Sequence, residues 1–284
     1  MYKIANCRFI NQNVKLFEIE APAIAINRRA KAGQFIILRV NENGERIPIT
    51  IAGTNQNGTI TIIVQGIGKT TNELLTKEKD DYIVDIVGPL GKPTDIKKVG
   101  TCVVIGGGVG TAIAYPVAKA LKEKGNKVIV IIGGRSAEFA ILQNEISEFA
   151  DEVFVTTDDG SAGEKGLVTD KLIALINSEL KIDYVLAIGP IPMMKAVADT
   201  TNIEGNKIPT VVSLNPVMLD GTGMCGGCRA IVGGKNVFVC IDGPDFNAHE
   251  VDFDVLMKRN SMYKEHERNS LCKFKEKYGI NYAK

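Results

Sequence analysis

The chain has 284 residues, of which 45% are hydrophobic and 24% are charged, and its formal net charge is +1. This length suits two domains with a small appendage, and the balanced charge argues against nucleic acid or anionic lipid as a partner. No apolar run approaches the roughly 18 residues that a membrane-spanning helix needs. Since the N-terminus also lacks the apolar core of a signal peptide, we expect a cytoplasmic protein without a membrane span.

Residues 1–95 are predicted to form a small antiparallel β-barrel. Short β-rich runs recur at 14–20, 35–40, 59–64 and 82–87, separated by turn residues. Several short strands at such spacing favour a small antiparallel barrel.

Two polar segments interrupt this predicted barrel. Arg46, Pro48 and Thr50 alternate along an extended segment and therefore share one face. There an arginine could hold a phosphate, and a hydroxyl could hydrogen-bond the edge of a heterocycle. The second segment, Gly68-Lys69-Thr70-Thr71, precedes a helix-like run, and its N–H groups and hydroxyls suit a pyrophosphate. Neither segment is specific by itself.

Residues 96–214 are predicted to form a nucleotide-binding α/β domain with a parallel sheet. A buried strand runs into the turn Gly106-Gly-Gly-Val-Gly110, a helix follows, and a second apolar strand begins at Lys127. Such a βαβ unit can hold a phosphate where the turn meets the helix N-terminus. The G-x-G-x-x-G pattern fails at its last position, Thr111, and glycines also serve plain tight packing, so both interpretations stay open.

Polar and glycine-rich segments follow the later strands of this domain. Asp158 and Asp159 end one strand, and Gly189-Pro190 ends another, with Met193 on the next helix. Open α/β sheets bind ligands at such strand ends. Arg135, after Gly134, could accept the 2′-phosphate of NADP(H), whereas the two aspartates would repel it. We therefore favour NAD(H), with NADP(H) as the alternative.

The segment Asp220-Gly-Thr-Gly-Met-Cys225-Gly-Gly-Cys228, followed by Cys240, has the spacing of metal ligands. It resembles the C-x4-C-x2-C…C run of plant-type 2Fe–2S ferredoxins, with Asp220 in the place of the first cysteine. The alternatives are a disulfide or a structural zinc site in a nucleotide-binding regulator. Asp220 taken alone would be a turn residue. The many glycines favour the iron–sulfur site, because they let backbone N–H groups turn toward sulfur.

The sequence offers no constellation of general base and nucleophile. His249 and His266 are the only histidines, and neither has neighbours that suggest a proton relay. We assign no catalytic side chain, which fits chemistry carried by cofactors. Near the C-terminus, Leu271, Phe274 and Tyr278 form an apolar stripe that predicts a helix packing on the cluster segment or on a partner.

Taken together, these segments resemble the ferredoxin–NADP reductase superfamily. The barrel segment is similar to its R-x-Y-[ST] flavin strand, with one extra residue before Thr50 and with Ile49 in place of the aromatic. Gly-Gly-Gly-x-Gly, T-D-D-G-S and G-P-x-x-M-M then follow in the superfamily's order. The resemblance implies an FAD-binding barrel at 1–95, an NAD(P)-binding domain at 96–214, and a small iron–sulfur domain with a C-terminal helix at 215–284.

The site residues combine those argued from the sequence with those that the resemblance implies. The cofactor contacts are Arg46, Pro48, Ile49, Thr50, Val64, Gly68, Lys69, Thr70, Thr71, Gly107, Gly108, Val109, Gly110, Thr111, Gly134, Arg135, Asp158, Asp159, Gly189, Pro190 and Met193. The metal ligands are Asp220, Cys225, Cys228 and Cys240.

Within that superfamily the chain resembles the electron-transfer subunit of bacterial dihydroorotate dehydrogenase. It is more similar to the small subunit of NADH-dependent ferredoxin–NADP oxidoreductase, because of the Asp220 form of the cluster segment. This implies an oxidoreductase subunit that passes hydride between NAD(H) and FAD and single electrons between FAD and a 2Fe–2S cluster. It also implies electron bifurcation with a larger flavoprotein and iron–sulfur partner, in a heterodimer or larger assembly that reaches ferredoxin through that partner. The dihydroorotate dehydrogenase subunit, with an FMN-containing partner, is the alternative.

Overall fold

The computed structural model describes residues 1–205 and 207–278. The strands are β1 (Tyr2–Asn11), β2 (Val14–Glu20), β3 (Phe35–Arg39), β4 (Arg46–Thr54), β5 (Thr59–Gln65), β6 (Tyr82–Ile83), β7 (Asp85–Leu90), β8 (Thr101–Gly107), β9 (Lys127–Gly134), β10 (Glu152–Thr157), β11 (Glu164–Lys165), β12 (Tyr184–Ile188), β13 (Thr210–Ser213), β14 (Arg229–Val232), β15 (Lys235–Phe238) and β16 (Asp245–Asn247). The α-helices are α1 (Lys69–Leu75), α2 (Gly110–Glu123), α3 (Gln143–Ser147), α4 (Val168–Ile176), α5 (Ile191–Thr201), α6 (Val239–Asp242), α7 (Phe253–Asn260) and α8 (Lys264–Tyr278).

The first sheet is antiparallel and forms a nearly closed barrel. Its strand order is β6-β1-β2-β5-β4-β3-β7. Inward-pointing residues such as Phe17, Ile36, Ile60 and Ile62 are fully buried in its core, as expected where one face of each strand is apolar. The predicted barrel is confirmed. The run predicted at 82–87 is divided between the two strands β6 and β7.

The second sheet is parallel except at one edge, with the strand order β11-β10-β9-β8-β12-β13-β16. One of its faces packs against α4 and α5 and the other against α2 and α3. Burial on both faces explains the continuous apolar sequences of β8 and β9. The predicted nucleotide-binding α/β fold is confirmed.

The C-terminal segment contacts both sheets. β14 and β15 form a hairpin, and β16 then pairs antiparallel with β13 at the edge of the second sheet. The predicted C-terminal helix is present as α8, with Phe274 buried and its ring 4.7 Å from that of Tyr278. It contacts α1 of the barrel rather than the cluster segment on which we predicted that it packs. The alternative, packing on a partner, stays a prediction. Among the described residues, no helix has the length and apolar character required to cross a membrane.

Candidate cofactor cleft and cluster loop

A cleft of about 1040 Å³ lies between the two sheets and is lined by residues of both. The barrel contributes β4, β5 and the turn before α1, and the second sheet contributes the carboxyl ends of β8, β9, β10 and β12. These ends are where open α/β sheets bind ligands. The predicted cofactor contacts that line the cleft are Pro48, Ile49, Thr50, Val64, Thr71, Gly107, Gly108, Val109, Gly110, Gly134, Arg135, Asp158, Gly189, Pro190 and Met193.

Arg46 lies outside the lining of this cleft. Its guanidinium donates a hydrogen bond of 3.1 Å to Asp85 Oδ2. Arg46 of β4 and Asp85 of β7 are both register partners of Arg39 in β3, which brings the two charges to the same part of the barrel. Arg46 therefore neutralises Asp85 and would have to leave that ion pair to hold a phosphate.

The turn before α1 is closed by its own side chains. Thr71 Oγ1 accepts hydrogen bonds from the backbone amides of Ile67 and Gly68, at 3.0 and 2.9 Å. Thr70 is buried and donates instead to Glu45. Gly68, Lys69 and Thr70 lie outside the cleft lining. Thr71 thus both caps α1 and reaches the cleft.

The glycine-rich turn between β8 and α2 brings the backbone close to neighbouring strands. Gly108 has a φ of +56°, which glycine adopts without steric cost. A Cβ on Gly110 would lie 2.3 Å from the carbonyl oxygen of Ile188, so glycine is required where α2 begins over the end of β12. Thr111 is fully buried behind this turn, outside the cleft lining, and its hydroxyl has no hydrogen-bond partner among the described residues.

Met193 covers two of the glycines at the strand ends. A Cβ on Gly107 would lie 2.5 Å from Met193 Sδ, and one on Gly189 would lie 2.7 Å from Met193 Cε. The segment Gly189-Pro190-x-x-Met193-Met194 therefore packs directly on the glycine-rich turn between β8 and α2. The two motifs that the sequence separates by about 80 residues form one wall of the cleft.

The two aspartates that follow β10 occupy different places. Asp158 lines the cleft together with Arg135, whereas Asp159 does not. Asp159 Oδ1 accepts hydrogen bonds from the hydroxyl and the amide of Ser161, at 2.6 and 2.9 Å. These bonds, the hydroxyl first, lower the pKa of Asp159. Asp158 is therefore the aspartate placed to meet a dinucleotide in the cleft.

The four predicted metal ligands form two pairs. Asp220 Oδ2 accepts a hydrogen bond of 2.8 Å from the Cys225 amide, and the Cys240 amide donates to Cys228 Sγ at 3.4 Å. In the ranges that the structure describes, no three His, Cys, Asp or Glu side chains lie close enough together to hold one metal ion. A donor set of three cysteines and one carboxylate supplies the two protein ligands that each iron of a two-iron cluster takes.

The proposed ligands differ in their exposure to solvent and in the direction in which the fold shifts their pKa values. Cys225 is exposed, whereas Cys228 and Cys240 are buried. Burial, followed by a hydrogen bond with Cys228, raises the pKa of Cys240 to about 12. The backbone amide of Thr222 is the main cause that lowers the pKa of Asp220. Since metals bind thiolates, loading of this site would release the Cys240 proton.

Comparison with known proteins establishes the family. A family model described as the iron–sulfur cluster binding domain of dihydroorotate dehydrogenase B matches residues 215–252, and an oxidoreductase NAD-binding domain model matches residues 104–199. A Thermotoga maritima protein, named dihydroorotate dehydrogenase B (NAD(+)) electron transfer subunit homolog, is 46% identical over 266 residues, which cover 93% of this chain and 92% of that protein. The chain belongs to the family of dihydroorotate dehydrogenase B electron transfer subunits and their homologs.

Solved structures agree with this family. A chain from the structure of the NADH-dependent reduced ferredoxin-NADP oxidoreductase, determined in a study of flavin-based electron bifurcation, is 44% identical. It matches with a TM-score of 0.89 over 96% of this chain and 98% of its own length. Phthalate dioxygenase reductase shares the fold, with a TM-score of 0.59 and 18% identity over 91% of this chain and 79% of its own. This member of the electron transfer subunit family is an oxidoreductase subunit with FAD, an iron–sulfur cluster and NAD(H) as cofactors, as predicted.

Sequence reasoning missed several residues of the cleft. Ser213 lines it from the end of β13, and Met218 from the segment before the cluster ligands. Phe139 lines it from the short turn after β9, and Leu167 from the residue before α4. Apolar side chains give no ligand signal in a sequence. The available signal was position, since Ser213 ends a strand and Leu167 precedes a helix, where α/β sheets bind nucleotides.

Proposed function

We propose that this chain is the small, electron-transfer subunit of a NADH-dependent reduced ferredoxin–NADP oxidoreductase that bifurcates electrons. Hydride passes between NAD(H) and FAD in the cleft, and single electrons pass between FAD and a 2Fe–2S cluster bound by Asp220, Cys225, Cys228 and Cys240. The observation that carries this proposal is the cleft itself. It is lined by both sheets and by Met218, two residues before the first proposed cluster ligand.

Contacts of the cluster loop (residues 220–228) with the barrel support a short path for electrons. Gly221 follows Asp220 and has a φ of +72°. A Cβ at this position would lie 2.6 Å from Leu90 Cδ1 and 2.8 Å from Ile37 Cγ1. The loop therefore packs directly on β3 and β7, so that the proposed cluster lies beside the barrel that would hold the flavin.

We assign residues 1–95 to FAD, 96–214 to NAD(H) and 215–284 to the cluster and its supporting helices. The proposed flavin contacts are Pro48, Ile49, Thr50, Val64 and Thr71. Gly68, Lys69 and Thr70 would form the turn that carries Thr71, and Arg46 would reach a phosphate only on leaving its ion pair with Asp85. The proposed dinucleotide contacts are Gly107, Gly108, Val109, Gly110, Gly134, Arg135, Asp158, Gly189, Pro190 and Met193, with Thr111 and Asp159 supporting their turns.

The proposed partner is a larger flavoprotein with iron–sulfur clusters that binds over the exposed side of the cluster loop. Cys225 is exposed and Met224 beside it is 90% exposed. Phe238 and Ile241, also exposed, lie against glycines of the same loop. Exposed apolar residues grouped in this way are typical of protein interfaces. NADP(H) and ferredoxin would react at the partner, and the assembly would operate in the cytoplasm.

A second candidate function is electron transfer for an NAD-dependent dihydroorotate dehydrogenase. It is favoured by the description of the model that matches residues 215–252. Co-purification separates the two functions, because this candidate requires a catalytic partner that contains FMN.

The experiment that tests the proposed function is anaerobic purification of the whole chain, with iron, zinc and flavin measured on one sample. We expect the visible bands of flavin and about two irons per chain, as one 2Fe–2S cluster requires. A C225A/C228A variant should lose the iron and keep the flavin. A colourless protein that contains zinc would overturn the proposal. Loss of flavin together with iron in the double variant would indicate collapse of the fold rather than loss of a cluster.

A further inference from the structure

Arg259 of α7 is hydrogen-bonded to the backbone of the cluster loop. Its Nη2 donates a hydrogen bond of 3.2 Å to the backbone carbonyl of Gly227. Gly227 stands between Cys225 and Cys228, and its own N–H donates to Cys225 Sγ at 3.4 Å. The guanidinium therefore binds the peptide group that separates two of the proposed ligands, although Arg259 is about 30 residues away in the sequence.

The helix that carries Arg259 is firmly anchored. Asp252 Oδ1 accepts the Val255 amide at 3.0 Å and so caps the N-terminus of α7. The Asp252 amide donates to the carbonyl of Ile231 in β14 at 2.9 Å. Phe253 and Leu256 are buried in the core beneath the helix. A side chain on such a support is held in place more precisely than one on a loop.

The guanidinium also places a positive charge beside the loop. In the part of the chain that the structure describes, Arg259 forms no ion pair within 4.0 Å. Its side chain is half-buried, so solvent screens the charge less than it screens the charge of an exposed residue. Arg259 is therefore an unneutralised cation on one side of the proposed cluster site.

We propose that Arg259 is a positioning residue that orders the cluster loop and raises the potential of the cluster. This inference rests on the proposed function, because it assumes a cluster bound by the four ligands named above. One-electron reduction, with flavin already reduced by hydride from NADH as the electron donor, would add one negative charge at the loop and leave the flavin one electron more oxidised. A fixed cation nearby stabilises that added charge, as outer hydrogen bonds and charges generally tune metal sites.

Three variants of the whole chain separate the charge from the hydrogen bond. Arg259→Gln removes the charge and keeps an N–H donor, and Arg259→Lys keeps the charge and loses the planar fork. Lys258→Gln is the matched control, because Lys258 is the preceding residue of the same helix and is exposed. It makes the same change in net charge away from Gly227.

The measurement is a redox titration of each purified variant, followed by the electron paramagnetic resonance signal and visible absorbance of the cluster. For Arg259→Gln we expect the ratio of reduced to oxidised cluster at a fixed potential to fall roughly tenfold, which is 59 mV for a one-electron couple. Lys258→Gln should match the unmodified protein. Arg259→Lys should stay within about threefold of it.

The outcomes distinguish this inference from the proposed function. If the unmodified protein binds no 2Fe–2S cluster, the proposed function itself fails. If Arg259→Gln binds full iron at an unchanged potential, the inference about Arg259 alone is overturned. Loss of iron with retention of flavin in Arg259→Gln, but not in Lys258→Gln, would support the positioning role. Loss of both cofactors would show a general structural role and overturn the inference.

Discussion

The carboxylate of Asp220 is hydrogen-bonded to the backbone amide of Cys225 at 2.8 Å. Its other oxygen accepts the Thr222 amide at 2.9 Å, so the side chain organises the loop that joins it to the first cysteine. Asp220 therefore acts as a turn residue of the loop. Its carboxylate also lies next to Cys225, the second proposed ligand. The observed position of Asp220 is therefore compatible with both interpretations that the sequence allows, a turn residue and a metal ligand.

Substitution of Asp220 by cysteine should leave the cluster assembled but change its potential. The thiolate keeps the ligand charge and replaces a hard donor by a soft one. The substitution also removes the acceptor of two loop amides, for which we expect a loss of about 1 kcal/mol in the free energy of unfolding. Iron content, the visible spectrum and a redox titration check this prediction. An unchanged spectrum and potential in Asp220→Cys would count against ligation by Asp220.

The parts of the fold that were predictable from sequence depend on local signals. The glycine turn before α2 and the strand β2 are encoded by neighbouring residues, and both lie where we predicted them. Arg46 is different, because its ion pair with Asp85 depends on β4 and β7 both pairing with β3. Ser213 joins the cleft through the same kind of non-local packing. The ion pair of Arg46 leaves no trace in the local sequence, and the single local signal for Ser213 is its position at the end of a strand.

Asp158 should discriminate against NADP(H). Its carboxylate lines the cleft beside Arg135, where it would repel a 2′-phosphate on the adenosine ribose. We expect Asp158→Ser to raise the ratio of kcat/KM for NADPH to that for NADH by about tenfold, equivalent to about 1.4 kcal/mol. Reduction of the bound flavin by each nucleotide in stopped flow provides the measurement.

Asp159→Asn is the matched control for that experiment. Asp159 carries the same charge on the next residue, but Ser161 holds its carboxylate outside the cleft lining. The nucleotide ratio should change much less than in Asp158→Ser. Equal effects of the two substitutions would mean that general electrostatics, rather than contact in the cleft, sets the preference.

Thr71 should contribute to stability through the cap of α1. Replacement by valine removes the acceptor for the Ile67 and Gly68 amides, and loss of such a cap costs about 1–2 kcal/mol. Urea unfolding of Thr71→Val should show this loss, and flavin should dissociate more readily because the turn lines the cleft. Thr71→Ser keeps the hydroxyl and should restore both properties. Thr76→Val removes an exposed hydroxyl at the other end of α1 and should leave flavin binding unchanged.

Lys15 of β2 is buried, and its side chain bonds to residues at and just after the end of α1. Its side chain is 1% exposed, and Nζ lies 2.8 Å from Glu78 Oε1. Nζ also donates to the carbonyl oxygens of Lys77 and Leu75, at 2.7 and 3.3 Å. Replacement of Lys15 by methionine keeps the length of the side chain but leaves these acceptors without their donor. We expect the free energy of unfolding at neutral pH to fall by about 2–4 kcal/mol.

The same pair predicts a dependence of stability on pH. The hydrogen bond from Lys15 is the main cause that lowers the pKa of Glu78 below its ordinary value of 4.5. A carboxyl whose pKa is lower in the folded state stabilises the fold above its unfolded pKa, and this contribution is lost as the pH falls through the folded value. Urea unfolding between neutral pH and about pH 3 should therefore show a smaller acid loss in Glu78→Gln than in the unmodified protein. Asp80→Asn, which breaks the exposed pair with Lys3, should leave stability at neutral pH close to that of the unmodified protein. If Lys15→Met were equally harmless, the buried lysine would have no role in holding α1.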